Sequence, residues 1–150
     1  MQFRHLLPTL LMLAAVFSGC APKSSTPTLA QSEAALKADV QKDSGGKIAV
    51  VSFTKNEAQA AEIYGVPVYK IKYTAKLRAT APAAIGRSEQ FPYAPSAFSG
   101  SFEIPAGTEY EIAGSIEFEK KESGWAATDI NAHRLPNKAI EALIPAPKAW

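Results

Sequence analysis

Residues 69–78 read Tyr-Lys-Ile-Lys-Tyr-Thr-Ala-Lys-Leu-Arg, and residues 109–119 read Glu-Tyr-Glu-Ile-Ala-Gly-Ser-Ile-Glu-Phe-Glu. In the first stretch Tyr69, Ile71, Tyr73, Ala75 and Leu77 alternate with Lys70, Lys72, Thr74, Lys76 and Arg78. A period of two places the two sets on opposite faces of a strand, whereas a helix would scatter both. In the second, Tyr110, Ile112, Gly114, Ile116 and Phe118 alternate with Glu109, Glu111, Ala113, Ser115, Glu117 and Glu119. One polar face is basic wherever it is charged, and the other is acidic. Opposite charges facing each other across neighbouring strands contribute roughly 0.2–1 kcal/mol per pair, and like charges repel. The two stretches are therefore predicted to be antiparallel neighbours whose charge ladders share one solvent face. The functional alternative for Lys70, Lys72, Lys76 and Arg78 is a basic surface for lipid headgroups or nucleic acid; the acidic ladder would cancel it locally, so no nucleic-acid partner is expected.

The flanking segments extend this pattern into an α+β domain. Residues 31–43 carry good helix formers, with Ser32 as a candidate N-cap, Ala35, Leu36 and Val40 at helical spacing, and Gly45 or Gly46 as the stop. Residues 47–54 form a short apolar, β-branched run suited to a buried strand. Residues 56–64 read as a brief helix capped by Asn56 or Thr54 and ended by Gly65. Residues 122–124 form a turn, and 125–130 a last strand in which Trp125 packs near Phe118. Gly114 in mid-strand is expected at a bend or bulge. Residues 136–144 form one short terminal helix, which the tail 145–150 with Pro145 and Pro147 cannot continue. The expected architecture is an N-terminal helix on a curved, mainly antiparallel sheet of about four strands. At fold level it resembles cystatins and the ketosteroid-isomerase-like cone folds, an analogy that says little about function.

Residues 80–107 connect the two charged strands and contain Pro82, Pro92, Pro95 and Pro105. A structureless connection of that length is unusual in a compact domain, so part of it, residues 99–104, is expected to form an extra strand. Phe91, Tyr93, Phe98 and Phe102 lie within it, either as a binding lip or as a cover for the sheet edge. The cover is the preferred reading.

Composition limits the chemistry. The chain has 150 residues, 47% hydrophobic and 20% charged, with 16 Lys+Arg against 14 Asp+Glu. That balance is globular and offers no strong electrostatic partner. Cys20 is the only cysteine, so no intramolecular disulfide can form, and beyond residue 19 the only histidine is His133. A conventional zinc site needs several such ligands, and no metal or cofactor is expected. Asp129, His133 and Ser123 or Ser115 could be drawn as a triad, but no motif positions them, and Gly-x-Ser-x-Gly and phosphate-binding glycine loops are absent. His133 is read as a solvated residue after the last strand. Glu117 and Glu119 lie on the proposed exposed ladder, where acid/base work is hard to support. No catalytic residue is assigned, and the chain is not read as an enzyme.

The first twenty residues stand apart. A short head with Arg4 precedes an apolar run over residues 6–17, too short to span a bilayer, which takes roughly 20 apolar residues. Its length and charge order are those of a secretory signal peptide. The run ends Leu13-Ala14-Ala15-Val16-Phe17-Ser18-Gly19-Cys20, which resembles the lipobox of bacterial lipoproteins. The resemblance implies cleavage after Gly19 and diacylglyceryl and acyl (palmitate-type) modification of Cys20. With Ala21 following the cysteine, it also implies an outer-membrane address facing the periplasm. Residues 1–19 are then a signal peptide, 20–30 a lipidated N-terminus and flexible tether, and 31–150 one small domain. The segments 51–56, 69–75 and 114–125 further resemble a family of small exported bacterial proteins of unknown function, which brings no assigned activity.

The expected role is a lipid-anchored binding or interaction module of the cell envelope, engaging the membrane through Cys20 and an envelope protein or ligand. The alternatives are a cone-fold enzyme or small-ligand-binding protein with a pocket between helix and sheet, and a purely structural envelope component. An enzyme of that kind needs a deep pocket holding a polar group such as Asp129 or Tyr73.

Overall fold

The computed structural model describes residues 25–98 and 100–146. Residues 1–24, and with them the signal peptide, Cys20 and most of the tether, lie outside the described residues, as do Ser99 and residues 147–150. Helix α1 (Leu29–Asp43) begins earlier than the sequence suggests, because Thr28 and not Ser32 caps it. The Thr28 hydroxyl accepts from the Gln31 backbone N–H at 3.1 Å, and the Gln31 side chain accepts from the Thr28 N–H at 2.8 Å, a reciprocal capping box. Ser32 is buried inside the first turn, where its hydroxyl donates to the Thr28 carbonyl at 3.0 Å.

Strands β1 (Ile48–Ile63), β2 (Val66–Ala79), β5 (Glu109–Lys121) and β6 (Gly124–Arg134) form an antiparallel sheet in the order β1-β2-β5-β6. β1 runs through residues 56–63, so the brief helix read from 56–64 does not exist. Tyr64 and Gly65 are the two residues of a tight hairpin, with φ of 50° and 79°, joining Ile63 to Val66. Both central residues of such a turn need positive φ, which glycine supplies freely. Pairing with β2 along this whole length outweighs the helix preference of Glu57, Ala58, Gln59, Ala60 and Ala61.

The charged stretches are direct neighbours, as their patterns predict. Lys70 stands opposite Glu117, Lys76 opposite Glu111 and Arg78 opposite Glu109. Arg78 hydrogen-bonds Glu109, Lys76 reaches the same carboxylate diagonally at 3.8 Å, and Lys72 turns instead to Glu57 on β1 at 2.7 Å. The apolar faces of β2 and β5 bury Ile71, Tyr73, Leu77, Tyr110, Ile112, Ile116 and Phe118, against which α1 sets Leu36 and Val40.

The long connection folds into a second layer. Strands β3 (Ala83–Gly86) and β4 (Ser101–Ile104) pair as a small antiparallel sheet that buries Ala83, Ile85, Phe102 and Ile104. A partner for the expected 99–104 strand thus lies within the same connection. Helix α2 (Lys138–Glu141), capped by the Asn137 side chain, is the short terminal helix and buries Ile140.

Gly114 is not at a bulge. The register shift in this ladder falls between Glu117 and Phe118, where Thr128 is unpaired. Gly114 serves close approach instead: a Cβ there would stand 1.9 Å from the Asn131 carbonyl oxygen and 2.9 Å from the Ala132 Cα.

Candidate functional site

Three segments converge at the C-terminal half of α1. Asp39 and Asp43, four residues apart and hence on one helix face, look across at residues 90–94 of the long connection and at Ile130, Asn131 and Ala132 of β6. Between them lies a cleft of about 250 Å³.

The connection is held rigidly enough to define that cleft. The Gly86 N–H donates to the Ala94 carbonyl at 2.9 Å, and the Arg134 N–H donates to the Glu89 carbonyl at 3.0 Å. The buried Tyr110 hydroxyl donates to the Pro92 carbonyl. Tyr93 then turns inward, and its hydroxyl donates to the Asp39 carboxylate. Burial and the Asp39 charge push the Tyr93 phenol far above its ordinary range, and the same two causes raise Tyr73. The Tyr73 hydroxyl donates to the Asn131 carbonyl at 3.4 Å. Both phenols thus remain protonated at neutral pH and already spend their protons on internal acceptors. What the cleft offers a ligand is two carboxylates, the half-exposed Phe91 ring and Gln90; Asn131 borders it while its side chain points to the outer face with those of Ser115 and Lys72.

The four aromatics of the connection do not act together. Tyr93 and Phe102 are buried in the core, 6% and 5% exposed. Phe91 is 38% exposed at the cleft, and Phe98 is fully exposed away from it. Asp39, Asp43 and Asn131 carried no site assignment from sequence. The one available signal was the four-residue spacing of the two aspartates, which a solvated helix face shows equally well.

A second, shallower depression of about 410 Å³ opens on the outer sheet face among Asn56, Lys70, Lys72, Ser115, Asn131 and His133, over the backbone of Gly114. His133 lies within β6, paired with Ala113 and exposed, so it does not follow the last strand as the sequence suggested. Asp129, opposite Glu117, shares its face four residues away. Four strand positions separate two side chains by about 13 Å, so Asp129 and His133 cannot form a dyad. Among the described residues no group of three or more His, Cys, Asp or Glu side chains is placed to hold a metal ion, and no helix is long and apolar enough to cross a membrane. Comparison with protein-family models, curated proteins and solved structures finds no match to this chain.

Proposed function

We propose that the chain is a lipid-anchored module of the bacterial cell envelope, held through Cys20 on the periplasmic face of the outer membrane. In this reading it binds a cationic group of a ligand or partner in the cleft between α1, residues 90–94 and β6. The observation that carries the binding role is the pairing of Asp39 and Asp43 with the Phe91 ring around a small, preformed cavity. Two carboxylates suit an ammonium or guanidinium group, and the Phe91 ring can pack on the apolar stem that carries it. The volume falls below the roughly 300–1,000 Å³ of drug-sized sites, which favours a side chain or small amine over a large metabolite.

Binding fits better than catalysis. The groups named for a pocket enzyme are Asp129, exposed on the outer face, and Tyr73, whose hydroxyl is committed to Asn131. The binding role is tested by titrating the isotope-labelled protein with L-arginine amide and with acetate. Arginine amide is expected to shift the amide resonances of Gln90, Asn131 and Ala132, and Asp43→Asn to weaken the effect several-fold. Equal shifts with acetate, or none with the cation, would reject it. Intact mass and fractionation of the wild type beside Cys20→Ser test the anchor separately.

A further inference from the structure

Helix α1 runs back against the start of β1, with Lys37 and Gln41 facing residues 48–50. Its fifteen residues span about 22 Å. The sixteen residues of β1 span about 53 Å. The tip of the β1–β2 hairpin therefore lies roughly 30 Å beyond the N-terminal end of α1, where the N-terminal segment departs, and about level with the β5–β6 turn. Its exposure agrees, since every residue from 54 to 67 is exposed on both faces, and Val68 is the first buried one on the return strand.

The tip of this projection is apolar. Ile63 is 46% exposed, Tyr64 completely so and Val66 37%. A little farther back the Tyr69 and Trp125 rings pack together with centroids 6.0 Å apart. Lys55 lies over the Tyr69 ring at 5.9 Å and Lys120 over the Trp125 ring at 4.9 Å. The β5–β6 turn comes to the same end, because Val68 pairs with Glu119 and Lys120 with Trp125. Aliphatic residues at a tip, with tyrosine, tryptophan and lysine behind them, are graded as a membrane interface is, from hydrocarbon to headgroup.

We infer that the β1–β2 hairpin tip, Ile63, Tyr64 and Val66, inserts into the outer part of the same lipid leaflet that holds Cys20. This rests on the lipid-anchor reading, and the chain length between the two points supports it. Eight peptide units separate Cys20 from the helix cap Thr28, a maximum reach of about 29 Å. A tether of that reach cannot lift a hairpin projecting as far or farther clear of the surface when the domain stands upright. The anchor supplies most of the membrane affinity. The tip fixes orientation and turns the opposite end of the sheet toward the periplasm.

The test uses the full chain bearing a fluorophore at Glu62→Cys or, at the far end of the domain, Ala106→Cys, incorporated in vesicles of phosphatidylethanolamine and phosphatidylglycerol. Acylated Cys20 leaves the introduced thiol as the labelling site. A headgroup-attached nitroxide is expected to quench the label at 62 at least about twofold more than the label at 106, as an interfacial depth requires. Ile63→Ser, Tyr64→Ser and Val66→Ser together should abolish that difference while the protein stays membrane-bound. Equal quenching at both positions, with acylated Cys20 confirmed by mass, overturns the seated hairpin and leaves the anchor intact. Unmodified Cys20 overturns the anchor and, with it, the shared leaflet on which the seated hairpin rests.

Discussion

Tyr73 stands directly across from Gly114 in the β2–β5 ladder, and its hydroxyl reaches past the missing side chain to the Asn131 carbonyl on β6, 3.4 Å away. That carbonyl oxygen is the atom a Cβ at position 114 would strike. Phe53 stacks on the other side of Tyr73, with centroids 5.3 Å apart. The absence of one side chain thus lets an aromatic ring tie three strands together. Gly114→Ala is expected to destabilise the protein by about 3 kcal/mol, because backbone on β6 must move. Tyr73→Phe, which keeps the ring and loses a long hydrogen bond, should cost less than about 1 kcal/mol. Urea unfolding of both variants checks the order, and a mild Gly114→Ala would refute the close approach.

The start of α1 offers a comparison between two neighbouring hydroxyls. Thr28→Ala removes the capping box and should cost about 1 kcal/mol. Ser32→Ala, which loses one local bond inside the first turn, should cost less. Thermal melts of the two variants suffice, and the reverse order would place the cap at Ser32.

Arg134 is buried, its guanidinium 3.0 Å from the Glu141 carboxylate and 3.4 Å from the Arg87 carbonyl, and it lies 5.9 Å from the Phe102 ring centre. It joins β6, α2 and the long connection. Glu141→Ala would leave a buried cation without its counter-charge and should cost about 2 kcal/mol, less than a fully buried pair because the carboxylate itself is half in water. Hydrogen exchange should quicken in α2 and around residues 87–89 in this variant. Unchanged exchange there would show that the pair holds nothing in place.

Two pH limits follow from the ionisable groups. Burial raises the phenols of Tyr73, Tyr93 and Tyr110, with the Asp39 charge adding to the first two. Their contribution is complete below the ordinary phenol value of about 10 and is lost as pH climbs above it. Alkaline titration by tyrosinate absorbance should show these phenols ionising together with unfolding, and early ionisation without unfolding would contradict their burial. At the acid end, Arg78 holds the Glu109 carboxyl below its usual range, and Lys72 does the same for Glu57. That stabilisation is present above the usual carboxylate value and disappears as pH falls through the lowered one. Glu109→Gln and Glu57→Gln should flatten the acid limb of the stability curve.

The strictly alternating strands were legible because each carries one face of charge, and complementary signs identified the neighbour as well as the strand. Residues 56–64 were misread because Gly65 after an alanine-rich run serves equally as a helix stop and as the second residue of a tight hairpin. Only pairing with distant β2 decides between them. Gly114 was recognised as special, but its reason, the Asn131 carbonyl, depends on how β6 crosses β5 and has no local signature. The cleft was half visible. Phe91 belongs to the aromatic set of the 80–107 connection and lines the cavity, yet Asp39 and Asn131 come from elements separated by most of the chain. Their convergence is a property of the packed layers.

Strand β1 forms one border of the main sheet, and its pairing with β2 is interrupted between Val50 and Ser52 and again between Lys55 and Glu57. Each interruption twists the strand and throws its free backbone groups out of line. Lys55, Glu57 and Glu62 add charge along the same border. A stray strand zipping onto this margin would meet two breaks in register before reaching the tip. A long bare edge kinked in this way offers no flat, continuous template for another chain.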